Sequence, residues 1–236
     1  TEYTKNFQDD LFQEMKGRIK EDDSSVPYKD NGYFYITRYE TGKQYPIYSR
    51  KKGSLEAAEE IIFNVNESAE EYDYFQLGGL NISPDNKMTV FATDTVSRRQ
   101  YFLRIKNLET GEIYKDIIDN TTGGSVWAND NKTFFYTKKN PETLRSEKVF
   151  RHILGTPMAE DVEVYHEKDD TFGTYVTKSK SEDYIILGSY STLSSESQFL
   201  DANNPTGKFT MLQARENGLE YSVAHYKEHF YLLTNK

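Results

Sequence analysis

Residues 77–118 read LGGLNISPDNKMTVFATDTVSRRQYFLRIKNLETGEIYKDII. Four extended segments are legible in this stretch. Leu77–Ser83 is short and apolar, and Pro84-Asp85-Asn86-Lys87 turns the chain. Met88–Thr93 is apolar and β-branched, Thr95–Arg99 is polar, and Gln100–Leu108 alternates. Glu109-Thr110-Gly111-Glu112 turns again, and Ile113–Ile118 closes the unit. Runs of this length, bounded by Pro, Asp, Asn and Gly, signal strands and hairpins. A four-stranded antiparallel meander of about 40 residues, repeated along a chain, is a propeller blade.

The repeat extends in both directions. First-to-second-strand turns fall near Asn31, Asp85, Asp130, Ser181 and Lys227, at the spacing of roughly 45–55 residues that propeller blades show. Ser83-Pro84-Asp85-Asn86-Lys87 and Ala128-Asn129-Asp130-Asn131-Lys132 are the same module. The blades expected are Val26–Asn64, Leu77–Ile118, Ser125–His166 and Thr174–Gln213, with a fifth opening at Glu220 and stopping near Lys236 after two strands. The fold class is therefore all-β: a partial β-propeller of about four and a half four-stranded blades. Ahead of it, Tyr3, Phe7, Leu11, Met15 and Ile19 recur every four residues, which predicts an N-terminal amphipathic α-helix. Asp22, Asp23, Ser24 and Ser25 then break the pattern before Pro27 and read as a hinge. Residues 1–25 thus form a helix-and-hinge segment, and residues 26–236 an incomplete propeller.

Composition agrees with strands. Of 236 residues 14% are aromatic, with Tyr 19 and Phe 14 against Trp 1, and such side chains favour pleated, half-buried surfaces. There is no cysteine, so disulfides and thiolate metal sites are excluded. Mean hydropathy is −0.80, no run of 18 apolar residues occurs, and the chain is expected to be soluble. The compartment expected is the cytoplasm or the periplasm. A net charge of −9 disfavours nucleic acid and anionic membranes and suits cationic ligands.

Catalytic signatures are missing from these residues. A nucleophile elbow requires Gly-x-Ser-x-Gly, and Gly188-Ser189-Tyr190-Ser191 fails at the last position. His225 and His229 have H-x-x-x-H spacing but flank a hairpin turn rather than sharing a helical face. No calcium loop or phosphate-binding loop is found, and no metal or cofactor is expected. Gly78-Gly79 and Gly123-Gly124 sit at the starts of innermost strands, where blades crowd the axis.

Topology directs attention to one face. In a meander, loops alternate between two faces, so the hinge shares a face with the blade-to-blade connections. Those are expected at Asn66–Tyr74, Asp119–Gly123, Glu167–Thr171 and Arg215–Leu219. They hold Glu67, Glu70, Glu71, Asp73, Asp119, Glu167, Asp169, Asp170 and Glu216 against Lys168 and Arg215 alone. Arg98 and Glu196 are assigned to the same face. A surface of one sign concentrates ligands of the other, so Glu71, Asp73, Asp119, Asp169, Asp170, Arg98 and Glu196 are the candidate residues for substrate gating and interdomain contact.

Several segments resemble a known family. Glu14-Met15-Lys16-Gly17-Arg18-Ile19-Lys20-Glu21-Asp22-Asp23-Ser24-Ser25-Val26-Pro27 is similar to the propeller entry of the oligopeptidase B (protease II) group, within the prolyl oligopeptidase family of serine peptidases. Gly42–Tyr48, Arg50–Ser54, Lys106–Gly111, Val126-Trp127-Ala128 and Arg151–Thr156 agree with it. The resemblance implies a propeller of seven blades capping a C-terminal α/β-hydrolase domain of the same polypeptide. That domain would carry a Ser-Asp-His triad and the pocket selecting Arg or Lys, so no catalytic residue maps onto this chain. It implies basic oligopeptides as substrates, a propeller that limits their size, and an N-terminal segment packed with the hydrolase domain. The rival reading is a non-enzymatic protein-binding propeller. A sialidase-type propeller is disfavoured because Ser83–Thr89 lacks the Gly and Trp of that family's turns.

Overall fold

The hairpin turns depend on residues that accept a left-handed backbone. In the computed structural model, which describes residues 2–236, one such residue stands in each first-to-second-strand turn. These are Asn31 (φ 40°), Asn86 (φ 64°), Asn131 (φ 59°), Glu182 (φ 65°) and Lys227 (φ 52°). Asparagine enters this region readily because its short amide can bond the local backbone; other L-residues lose roughly 1–2 kcal/mol there. Residue 1, part of the expected helix-and-hinge segment, lies outside the described residues.

The chain divides into two units, residues 1–72 and 73–236. In the first, a 3-10 turn (Glu2–Thr4) leads into helix α1 (Lys5–Gly17). Strands β1 (Tyr28–Asp30), β2 (Tyr33–Arg38), β3 (Ile47–Lys52) and β4 (Glu59–Asn64) follow as one antiparallel meander. A short helix α2 (Val65–Ala69) then occupies part of the expected 66–74 connection. The Asn64 side chain caps it, accepting from the Asn66 N–H at 3.2 Å.

The second unit holds the remaining blades. The second blade is β5 (Gln76–Ile82), β6 (Met88–Asp94), β7 (Tyr101–Asn107) and the first part of β8 (Ile113–Trp127). The third is the rest of β8 with β9 (Thr133–Lys139), β10 (Ser146–Ile153) and β11 (Val162–His166). The fourth is β12 (Gly173–Lys178), β13 (Tyr184–Tyr190), β14 (Ser195–Asp201) and β15 (Thr210–Gln213). Strands β16 (Tyr221–Tyr226) and β17 (His229–Thr234) form a two-stranded sheet.

One expectation needs correcting. Asp119–Gly123 is not a connecting loop but the middle of β8, a strand of 15 residues shared by two blades, so they join as one seven-stranded sheet. The backbone turns between partners at Asn120 (φ 54°) and Gly123 (φ 89°), where the ladder shifts register. Asn120 Nδ2 donates to the Lys139 carbonyl at 2.9 Å and Thr121 Oγ1 to the Tyr101 carbonyl at 2.9 Å. Polar side chains thus satisfy backbone groups where the ladder is interrupted.

Period-two alternation builds the core. Phe134 and Tyr136 of β9 face a cluster with Met88, Val90, Leu103, Ile105 and Ile118. Phe135, between them, faces the other way, towards Val149, Ile185, Leu187 and Leu200. The third blade is therefore buried on both faces. Close approach at the inner strands excludes side chains at Gly78 and Gly79. A Cβ at Gly78 would lie 2.3 Å from the Tyr101 ring, and one at Gly79 would lie 2.2 Å from the Gly123 carbonyl oxygen. Side chains also bridge successive blades: Asp85 N–H donates to Asn131 Oδ1 at 2.8 Å, Lys178 Nζ to Asn129 Oδ1 at 2.7 Å, and Ser181 Oγ meets His225 Nδ1 at 2.7 Å.

Asn131 therefore has two roles, which substitution separates. Asn131→Gly keeps the turn conformation but loses the bond to Asp85, and should cost about 0.5–1 kcal/mol. Asn131→Ala adds the left-handed penalty and should cost about 1 kcal/mol more. Equal urea midpoints for the two variants would contradict this division.

Candidate functional site

The connections between β11 and β12 and between β15 and β16 come together around two arginines. Arg145, ahead of β10, donates from Nη1 to the carbonyls of Asp169 at 3.0 Å and Phe172 at 2.8 Å, and pairs with Glu147 at 2.9 Å. One guanidinium thereby fixes the course of residues 167–172. Arg215 lies over the Phe172 ring, 4.0 Å from its centroid. Its Nη2 meets Glu167 at 2.6 Å and its Nε meets Glu196 at 3.2 Å. Tyr165 Oη donates to Glu167 at 2.8 Å and lies 3.0 Å from Ser189 Oγ.

This geometry sets protonation. Burial would raise the Glu167 carboxyl, but Arg215, the Asp169 N–H and Tyr165 outweigh it and hold it below the usual carboxylate range. The Tyr165 hydroxyl is pushed up to about 12, by burial first and then by the bond to Glu167. The cluster is a filled receptor for a guanidinium: two buried carboxylates, an aromatic face and a hydroxyl, already occupied by the chain's own arginine.

The sequence-expected residues separate into three groups. Glu196, the second residue of β14, is buried and bound to Arg215; Asp169 is exposed, accepts from Thr171 and lies 3.8 Å from Arg215. Asp119 is exposed on β8 and pairs with Lys138 at 3.2 Å. Asp73, Asp170 and Arg98 are exposed, with no ion pair among the described residues, and so is Glu71 in the first unit. Arg98 stands in the β6–β7 loop, whose shape the buried Asp94 carboxylate sets by accepting from the Val96 N–H at 2.9 Å and the Arg99 N–H at 2.7 Å.

Of the hinge residues, Asp22 is exposed. Asp23, Ser24 and Ser25 run antiparallel beside the end of β2. The Asp23 carbonyl accepts from Tyr39 N–H at 2.8 Å, Ser24 bridges Arg38, and Ser25 N–H donates to the Thr37 carbonyl at 2.8 Å. Lys20 lies 3.2 Å from Asp23 and, with backbone bonding, lowers its pKa.

Sequence reasoning missed Arg145, Tyr165, Phe172 and Ser189. Arg215 and Glu167 are 48 residues apart, and no local spacing couples them. The available signal was a pair of bases, Arg145 and Arg215, near a connection rich in acids.

The sequence model of the family described as "Prolyl oligopeptidase, N-terminal beta-propeller domain" matches residues 1–236. This chain belongs to that family. A relative from Pseudoxanthomonas mexicana, "Dipeptidyl aminopeptidase BI", is 39% identical over 98% of this chain and 34% of its own length. "Protease 2" of Moraxella lacunata is 30% identical over 96% of this chain and 34% of its own length. The structure of oligopeptidase B from Leishmania major superposes with a TM-score of 0.92 and 31% identity, over 98% of this chain and 33% of that one. The chain thus spans about a third of the length of the family members it matches. These comparisons bear out the resemblance and the partial propeller with its N-terminal helix.

Removing Arg215 tests the charge network. In Arg215→Met, Glu167 and Glu196 face each other without a cation, which should cost about 3 kcal/mol at neutral pH. The depressed Glu167 pKa contributes stability above its unfolded value, near 4.3, and that contribution is lost as pH falls through the folded value. The wild-type advantage should therefore be largest near pH 7 and shrink below about pH 4. Denaturation midpoints across this range check it; a pH-independent gap contradicts it.

Proposed function

We propose that this chain is the propeller part of a serine oligopeptidase that cleaves short peptides after arginine or lysine. The observation that carries this reading is the match to Leishmania oligopeptidase B over 98% of the chain, and the Moraxella Protease 2 relative supports it. Catalysis is assigned to an α/β-hydrolase domain following in the same polypeptide, so this chain alone should be inactive. The propeller admits short peptides and gates their access through movement at Asp22–Ser25.

Two features support the division of labour. Helix α1 exposes Phe7, Leu11, Phe12 and Met15, with Tyr3 in the 3-10 turn before it and Ile19 just beyond its end, an apolar set suited to packing with the hydrolase domain. Residues 26–236 form the propeller domain. The exposed carboxylates Glu71, Asp73, Asp119 and Asp170 attract basic peptides through space. Asp169 and Glu196, engaged by Arg215, shape the surface rather than steer ligands.

Neutralising Glu71, Asp73, Asp119 and Asp170 together (to Gln or Asn) in the full-length enzyme should raise KM for an arginine peptide severalfold. It should flatten the salt dependence of kcat/KM and leave kcat unchanged, because screened charges act on encounter. An unaltered salt dependence sinks the steering account; failure to cleave after Arg or Lys sinks the specificity itself.

A second reading, removal of dipeptides from free amino termini, is favoured by the name of the 39% identical relative. An amino-terminally acetylated peptide with an internal arginine separates the two. Cleavage supports the oligopeptidase; cleavage only of the unblocked peptide supports the dipeptidyl enzyme.

A further inference from the structure

His152 of β10 is fully buried and lies outside the surface discussed above. Both its ring nitrogens face carboxylates. Nδ1 is 2.7 Å from Asp161 Oδ1, and Nε2 is 3.3 Å from Asp116 Oδ2. The Asp161 side chain is 2% exposed and that of Asp116 7%. Each carboxylate is already an acceptor: Tyr136 Oη donates to Asp161 at 2.8 Å, and the Gly155 N–H donates to Asp116 at 2.6 Å.

Donor counting decides the charge. The two carboxylates, each accepting from a phenol or a peptide N–H, turn acceptor oxygens to the ring. A neutral imidazole has one N–H and would turn a lone pair against the second anion. The doubly protonated ring donates to both. Around the ring, β8 contributes Asp116, β9 contributes Tyr136 and the Phe134 face, 4.9 Å away, and the 3-10 turn Met158–Glu160 leads into Asp161; Lys138 of β9 lies 3.6 Å from the Met158 sulfur. Asp119 on β8 acts on the Tyr136 hydroxyl and is itself paired with Lys138.

We propose that His152 is held as an imidazolium that staples the shared strand β8 to the 154–161 segment of the third blade, and that alkaline deprotonation releases the staple. Three elements meet at one charge. Asp116 belongs to the second-blade part of β8, His152 to the third blade and Asp161 to the returning segment. The energetic sense follows from linkage. Burial opposes the charge, the two aspartates outweigh it, and the pKa is raised. The staple is fully effective below the free imidazole value of about 6.5, weakens as pH rises above it, and is gone once pH passes the folded value.

Hydrogen exchange of the full-length protein, read by mass spectrometry from pH 6 to 10 and normalised for intrinsic exchange, tests this. Protection of residues 153–161 should hold steady below about pH 6.5 and then fall by up to about tenfold per pH unit before levelling off. Residues 47–52 serve as the reference. Asp116→Asn still accepts from Gly155 but removes one anion, and should make the fall shallower; His152→Gln should abolish it. If His152→Gln does not fold, the Asp116→Asn slope decides. A wild-type profile that is flat, that parallels residues 47–52, or that Asp116→Asn leaves unchanged overturns the proposal.

Discussion

Everything in the second unit depends on one strand serving two blades. Strand β8 leaves the second blade as its outermost strand and enters the third as its innermost, without a loop between. A continuous backbone can do this only if it twists sharply where it changes partners. Left-handed Asn120 and Gly123 supply the twist. The same requirement removes the side chain at Gly79, whose backbone faces the Gly123 carbonyl, and at Gly78, which lies under the Tyr101 ring. Packing follows: with β8 fixed, β9 is sandwiched, and its alternate aromatics fill the clusters on either side.

The acidic face also changes meaning once its contacts are counted. By composition, the connections hold many acids and few bases. In the fold, Arg215 engages Glu167, Glu196 and Asp169, Arg145 holds the backbone that carries Glu167 and Asp169, and Lys138 takes Asp119. Much of the charge is structural. Glu71, Asp73 and Asp170 stay exposed without an ion pair among the described residues, Arg98 is an exposed cation, and Asp119 is exposed beside Lys138. Net charge describes the far field; contacts decide which charges can act at short range.

The fold was legible because propeller information is local. Asn and Asp mark the first-to-second-strand turns of the first three blades, a left-handed residue stands in all five, and each signal acts over a few residues. The continuity of β8 was not legible, since Asp119–Gly123 has the composition of a turn and becomes strand only through pairing with Tyr101 and Lys138. Helix α2 was missed for a similar reason: its five residues are too few for a helical period, and Asn64 capping with Val65 and Ala69 burial defines it. The candidate residues were legible as charges but not as partners. Arg215 finds Glu167 through tertiary packing, as His152 finds Asp116 and Asp161.

The central functional claim is that the propeller selects substrates by size for a peptidase acting after basic residues. The most direct measurement compares kcat/KM of the full-length enzyme on two peptides sharing one arginine and its neighbours, one of about ten residues and one several times longer. The account predicts efficient cleavage of the short peptide and a loss of orders of magnitude for the long one. Equal efficiency on both would contradict it.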